Sequence, residues 1–204
     1  MANNTFLQKF RSYAPLTIIL SVWLLAIYLG THQLLMYEFT SDSESNFPNT
    51  WPKQSELSLD EERYTLLMAI HPKCSCSNAS LEELSKITAR LPGQLHANAL
   101  FIAPQSASQK YVQSKNWHAA QAIPGLRVIQ DNDGKLAHLF HLKTSGATLL
   151  YDHNGNLVFS GGITSSRGHS GDNLGSQAVF DIVSGISSAI HKTTAFGCHL
   201  FNEK

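Results

Sequence analysis

Residues 12–37 contain no Asp, Glu, Lys or Arg. Their apolar heart, PLTIILSVWLLAIYL at residues 15–29, continues weakly to Met36. As a helix, residues 15–36 would span roughly 33 Å at about 1.5 Å per residue, against about 30 Å of bilayer hydrocarbon. The segment is therefore expected to be a single transmembrane helix over residues 15–37, with Tyr13, Tyr28 and Tyr37 suited to the interfaces. Lys9 and Arg11 precede it, and Glu38, Asp42 and Glu44 follow. That asymmetry keeps residues 1–14 cytoplasmic and puts the remainder in the periplasm, or otherwise outside the cytoplasm, held to the inner membrane. A cleaved signal peptide would share the basic start and the apolar core. However, Leu29-Gly30-Thr31-His32-Gln33 is a poor cleavage site. Under either reading the chain beyond residue 38 sits where disulfides persist.

The 204 residues leave room for one ordinary domain plus this appendage. Lys plus Arg and Asp plus Glu are 15 each, so the formal charge is zero and nucleic acid is no expected partner. Residues 38–60 are rich in Ser, Glu, Asn and Pro and lack periodicity; they read as an extracytoplasmic linker, with Trp51 able to dock on the domain. From residue 61 to 192, strand-like and helix-like runs alternate. Strands are expected at 64–70, 97–103, 126–129, 148–151 and 156–160, and helices at 78–91, 106–122, 134–142 and 176–191. Asp152-His153-Asn154-Gly155 between two apolar runs is a hairpin signal. The pattern predicts an α/β domain with a mixed central sheet covered by helices on both faces, followed by a tail over 193–204.

Cys74 and Cys76 fall between the first strand and the first helix of this domain, in His71-Pro72-Lys73-Cys74-Ser75-Cys76-Ser77. Two thiols one residue apart at a helix start suit thiol–disulfide exchange, soft-metal binding, or a structural pair in a loop. The helix start and Lys73 favour a thiolate. A bridge between residues i and i+2 closes a small, strained ring, which makes it easily reduced. On this reading Cys74, farther from the helix body, attacks and Cys76 resolves. His71 is a candidate for tuning the thiolate, shuttling a proton, or ligating a metal. With Cys74 and Cys76 it would make a two-sulfur, one-nitrogen Cu(I) site, the copper-delivery alternative to redox chemistry. Cys198, in Phe196-Gly197-Cys198-His199-Leu200, is the odd cysteine. Its bland reading is a packed or idle thiol; a third partner for the pair is the sharper one. His138 and His141 read as a polar helix face rather than a metal pair.

The order strand–dithiol–helix–strand, then strand–turn–strand–helix, resembles the thioredoxin fold over roughly residues 63–191. More narrowly, HPKCSCSNASLEEL, SGATLLYD…GNLVFSGGIT and SSRGHSGDNLG look like the membrane-anchored thioredoxin-like proteins labelled RedB. The resemblance implies a membrane-anchored, extracytoplasmic thiol–disulfide oxidoreductase acting on protein thiols or disulfides, without a cofactor. This chain departs from thioredoxins twice. Cys-Ser-Cys lacks one spacer residue of Cys-x-x-Cys, and Ala147 stands at the position matching their cis-proline, which leaves room for metal at the thiols. The topology also implies that the polar loop at residues 161–175 returns to the dithiol end. Arg167 is then a candidate to stabilise a thiolate, His169 to transfer a proton, and Asp172 to orient His169.

Overall fold

The computed structural model describes residues 3–39 and 46–201. The chain divides into two units, 1–40 and 41–204. The first is one helix, α1 (Asn3–Phe39), running through Pro15. Within it, Pro15–Tyr37 has a mean hydropathy of 1.8 and is long and apolar enough to cross a membrane. Asp42 and Glu44, part of the expected charge asymmetry, lie outside the described residues.

The second unit is built on five strands: β1 (Tyr64–Ile70), β2 (Leu95–Ala103), β3 (Leu126–Asn132), β4 (Thr148–Tyr151) and β5 (Leu157–Gly161). They lie in the order β3-β2-β1-β4-β5. β1, β2 and β3 pair in parallel, whereas β4 and β5 are antiparallel additions. The helices are α2 (Ser77–Arg90), α3 (Gln109–Val112), α4 (Lys115–Gln121), α5 (Lys135–Leu139) and α6 (Leu174–Val183). β1 is central and buried on both faces, which explains its unbroken apolar sequence. Leu66, Met68 and Ile70 face a core shared with α2, α4 and α6. Leu67 and Ala69 face a second core formed with Leu136, Ala137 and Phe140. The α/β architecture with a mixed sheet is thus as expected, but helices cover the two faces unequally.

The second face is closed largely by chain without regular structure. Residues 46–60, read from the sequence as a linker, belong to the domain from Asn46 onward. Trp51 meets the Phe140 and Tyr151 rings edge-on, with centroids 5.0 and 5.2 Å away. Its N–H donates to the Gly155 carbonyl at 2.7 Å, and Leu57 is buried in the same cluster. The tail at 193–201 is likewise packed, with Leu200 in that core.

Helix boundaries differ from expectation for local reasons. Residues 106–122 form two short helices because Ser108 and Ser114 each cap a separate one, accepting from Tyr111 N–H and Trp117 N–H. α5 is held by Asp131, whose carboxylate accepts from Leu136 N–H at 2.9 Å and Ala137 N–H at 2.8 Å. α6 stops before Gly185 (φ 73), not at His191. Beyond it the chain extends along the β5 edge: Ser160 N–H donates to the His191 carbonyl and Thr193 N–H to the Ser160 carbonyl, both at 3.0 Å.

Candidate active site

The first strand ends at Ile70 and α2 starts at Ser77, so residues 71–76 must turn from the sheet centre into a helix. They do so through short turns: Cys74 N–H donates to the His71 carbonyl, Ser77 N–H to that of Cys74, and Ala79 N–H to that of Cys76. Asn116 of α4 fastens the outside of the turn. Its side-chain amide donates to the Cys74 carbonyl at 2.8 Å and the Pro72 carbonyl at 3.3 Å.

Beneath the turn lies the segment leading into β4. Ser145 is 1% exposed. Its hydroxyl accepts from His71 N–H at 2.8 Å and lies 2.7 Å from the Ser77 hydroxyl. Gly146 adopts φ 87, and a Cβ there would meet Ser80 Oγ at 2.7 Å. Gly146 N–H donates to the Ala69 carbonyl at 2.7 Å, and Ala69 N–H donates to the Ala147 carbonyl at 3.0 Å. Ala147 is buried on this segment.

The C-terminal segment completes the site. Ser145 N–H donates to the Cys198 carbonyl at 2.8 Å, Leu200 N–H donates to the Lys143 carbonyl at 2.7 Å, and Thr144 pairs with His199 as an antiparallel bridge. Arg167 donates to the Gly197 carbonyl. The backbone thereby brings Cys198 to Cys74, the sharper of its two sequence readings rather than the bland one. No simple spacing marks this contact; the only local signal is Gly197, whose lack of a Cβ allows contact with the Ser145 carbonyl.

Cys74 and Cys76 are 1% and 8% exposed, whereas Cys198 is half-buried. All three are free thiols. Burial pushes the Cys74 thiol up, but hydrogen bonds from the side chains and backbone N–H groups of Cys198 and Ser77 more than reverse this, lowering it from 9.0 to about 7. With the Ser77 proton directed at Cys74, Ser145 donates to Ser77 and accepts from His71, so the donors form a chain pointing at the sulfur. Burial and the neighbouring Cys74 charge push Cys76 up, with Arg167 opposing. Burial and hydrogen bonding to Cys74 push Cys198 up to about 12. Of the three thiols, Cys74 is the one shifted toward the thiolate, while Cys76 and Cys198 are shifted away from it.

The other candidates divide. Arg167 is close enough for its charge to act on Cys76 and Cys198, lowering both against their burial. His71 adjoins the site, but its Nδ1 accepts from Lys73 N–H at 3.3 Å and its Nε2 lies 3.1 Å from the Tyr111 hydroxyl. Burial, then the Lys73 charge, lowers its pKa, which favours the neutral ring. The Cu(I) alternative would draw on Cys74, Cys76 and His71. Among the described residues, no group of three His, Cys, Asp or Glu side chains is placed to hold a metal ion. The expected pairing of His169 with Asp172 is also corrected. His169 Nδ1 lies 2.8 Å from Ser166 Oγ and 2.9 Å from the Arg167 carbonyl, because the loop turns back on itself there. Asp172 lines a separate groove with Glu83 and Lys86. That loop is pinned by a residue the sequence reading passed over: buried Glu83 accepts from Gly171 N–H at 2.8 Å.

Comparison of the chain with protein-family models and with curated proteins finds no match. Solved structures do match. An uncharacterized conserved protein of Geobacillus kaustophilus superposes with a TM-score of 0.61 at 12% identity, over 80% of this chain and 96% of that one. A hypothetical protein of Sinorhizobium meliloti 1021 gives 0.58 at 16% identity, over 79% and 94%. A looser likeness, 0.45 at 19% identity over 62% and 87%, is to an exposed lipoprotein thioredoxin of Streptococcus pneumoniae. With a parallel strand–helix–strand start, two antiparallel strands and a closing helix on one sheet, the domain has a thioredoxin-like fold.

Proposed function

We propose that this protein is a membrane-anchored, extracytoplasmic thiol–disulfide oxidoreductase whose reacting centre is the Cys-Ser-Cys turn, with Cys74 as attacking thiolate. The observation that carries this reading is the placement of Cys74 in the strand-to-helix turn, with the Ser77–Ser145 pair and the Cys198 segment packed against it and its pKa lowered to about 7. A thiolate with a pKa near ambient pH combines a useful ionised fraction with retained nucleophilicity. The substrates are thiols or disulfides of other proteins. The likeness of HPKCSCSNASLEEL and SSRGHSGDNLG to the RedB-labelled proteins supports the same reading.

The test is a redox titration of the full chain in detergent across glutathione buffers, followed by acid quench, denaturation and alkylation. Cys74 is expected to lose and regain its alkylatable thiol reversibly. Retention of a free Cys74 thiol across the whole range sinks the reading. The apolar helix supports anchoring, with the N-terminus cytoplasmic and the domain periplasmic. In fractionated cells the protein is expected to stay with membranes after alkaline extraction; release as a shortened soluble chain would mean a cleaved signal instead.

A further inference from the structure

We infer that Cys198 is the redox partner of Cys74, so that oxidation closes a disulfide between the C-terminal segment and the turn after the first strand. This rests on the oxidoreductase reading and adds the residue that resolves its intermediate. Three observations point to it. First, Cys198 is seated on Ser145, whose hydroxyl meets His71 N–H and the Ser77 hydroxyl on the cysteine turn, and Cys74 and Cys198 each act on the other's ionisation. Second, the contact is built rather than incidental. Ser145 N–H on the Cys198 carbonyl, the Thr144–His199 bridge, Leu200 N–H on the Lys143 carbonyl and Arg167 on the Gly197 carbonyl fix the segment on both sides of the cysteine. Third, the turn disfavours the local alternative. Residues 74–79 coil through successive three-residue hydrogen bonds, with Cys76 in helical conformation (φ −65, ψ −27). Cys76 also acts on Cys74, but side chains two apart in such a coil diverge, and an S–S bond between them would close a small, strained ring. A Cys74–Cys76 bridge would have to unwind the helix start, whereas a bridge between separate segments carries no such ring constraint.

In the reducing direction the Cys74 thiolate attacks one sulfur of a substrate disulfide. A Cys74–substrate bond forms, the substrate S–S bond breaks, and the first substrate sulfur leaves as a thiolate that takes a proton from water. Cys198 then gives its proton to water, and its sulfur attacks Cys74 Sγ. The Cys74–Cys198 bond forms, the Cys74–substrate bond breaks, and the second substrate sulfur leaves and is protonated. Two electrons have passed from the protein dithiol to the substrate, and an external dithiol reductant restores the start. Since Cys74 is 1% exposed beneath this segment, residues 196–200 must lift to admit the substrate; their return delivers Cys198 and ejects the product.

The experiment maps disulfides in the oxidised full chain in detergent by alkylation of free thiols, trypsin digestion and tandem mass spectrometry. It is run on the natural sequence and on Cys74→Ser, Cys76→Ser and Cys198→Ser. The expected result is a link between the peptides carrying Cys74 and Cys198. It persists in Cys76→Ser, which removes ambiguity within the shared Cys74/Cys76 peptide, and is absent from the other two variants. With a disulfide-bonded protein substrate, Cys198→Ser should accumulate the mixed disulfide on Cys74. A reversible Cys74–Cys76 link with Cys198 alkylated overturns this inference and leaves the oxidoreductase reading standing. Absence of any reversible link to Cys74 overturns both. The mapping on the natural sequence holds whether or not a variant folds.

Discussion

Cys74 ionises near neutrality against the tendency of its own burial, because donors from α2 and from the C-terminal segment converge on one sulfur. The sign of the linkage follows. The lowered pKa means that the fold stabilises the thiolate, an advantage fully present above the ordinary thiol value of 9.0 and lost as pH falls through about 7. With the C-terminal segment admitting reagent, the alkylation rate of Cys74 should rise with a midpoint at about 7. Ser77→Ala removes one donor to a charged group. At roughly 1.5 kcal/mol, that should move the midpoint up by about 1 pH unit. The same substitution should make the reduction potential of the site more negative by roughly 20 mV at about pH 8, because a stabilised thiolate favours the reduced form. An unchanged midpoint in Ser77→Ala would mean that the hydroxyl does not serve the sulfur.

At the scale of elements, the site is a meeting of three segments: the β1–α2 turn, the entry to β4, and the returning C-terminus. Apart from the Ser77–Ser145 hydroxyl pair, the hydrogen bonds that join them have a backbone group on at least one side, so small substitutions should be felt. In Gly197→Ala the new Cβ would run into the Ser145 carbonyl, which no rotamer change relieves. The expected cost is about 1–3 kcal/mol of stability in denaturant unfolding. Faster alkylation of Cys74 should accompany it, since the segment that covers the sulfur is the one displaced. Asn116→Ala should cost a similar ~1–3 kcal/mol, because the buried Cys74 and Pro72 carbonyls both lose this donor. Unlike Gly197→Ala, it leaves the C-terminal contacts intact, so comparing the two separates loosening of the turn from lifting of its cover.

At the scale of the molecule, the domain begins earlier than its first strand. Trp51 and Leu57 fill the sheet face that α5 is too short to cover, and the hydroxyl of buried Tyr151 donates to the Pro48 carbonyl at 2.9 Å. A chain starting at residue 46 is therefore expected to fold, and one starting at 61 to be markedly less stable, with a lower midpoint in thermal unfolding followed by circular dichroism. Trp51→Ala alone should cost about 2 to 3 kcal/mol. Equal stability of the two shortened chains would show that the segment is a tether after all.

The local rules of the chain are enough to specify the apolar helix, the β1–dithiol–α2 start and the Asn-Gly hairpin, because each depends on periodicity or turn chemistry within a few residues. The mixed sheet follows from their order. The same sequence could also be read for Cys74 and Cys76 as a reactive pair, since a helix start acts on neighbours in the chain. Residues 46–60 are legible only as an aperiodic linker and 193–201 only as a tail, because what fixes them is pairing with neighbouring backbone and burial of single side chains such as Trp51 and Leu200. For the same reason the sequence alone does not assign Cys198 a partner. Its partner lies more than a hundred positions away, and only the closure of the C-terminus over Ser145 brings the two sulfurs together.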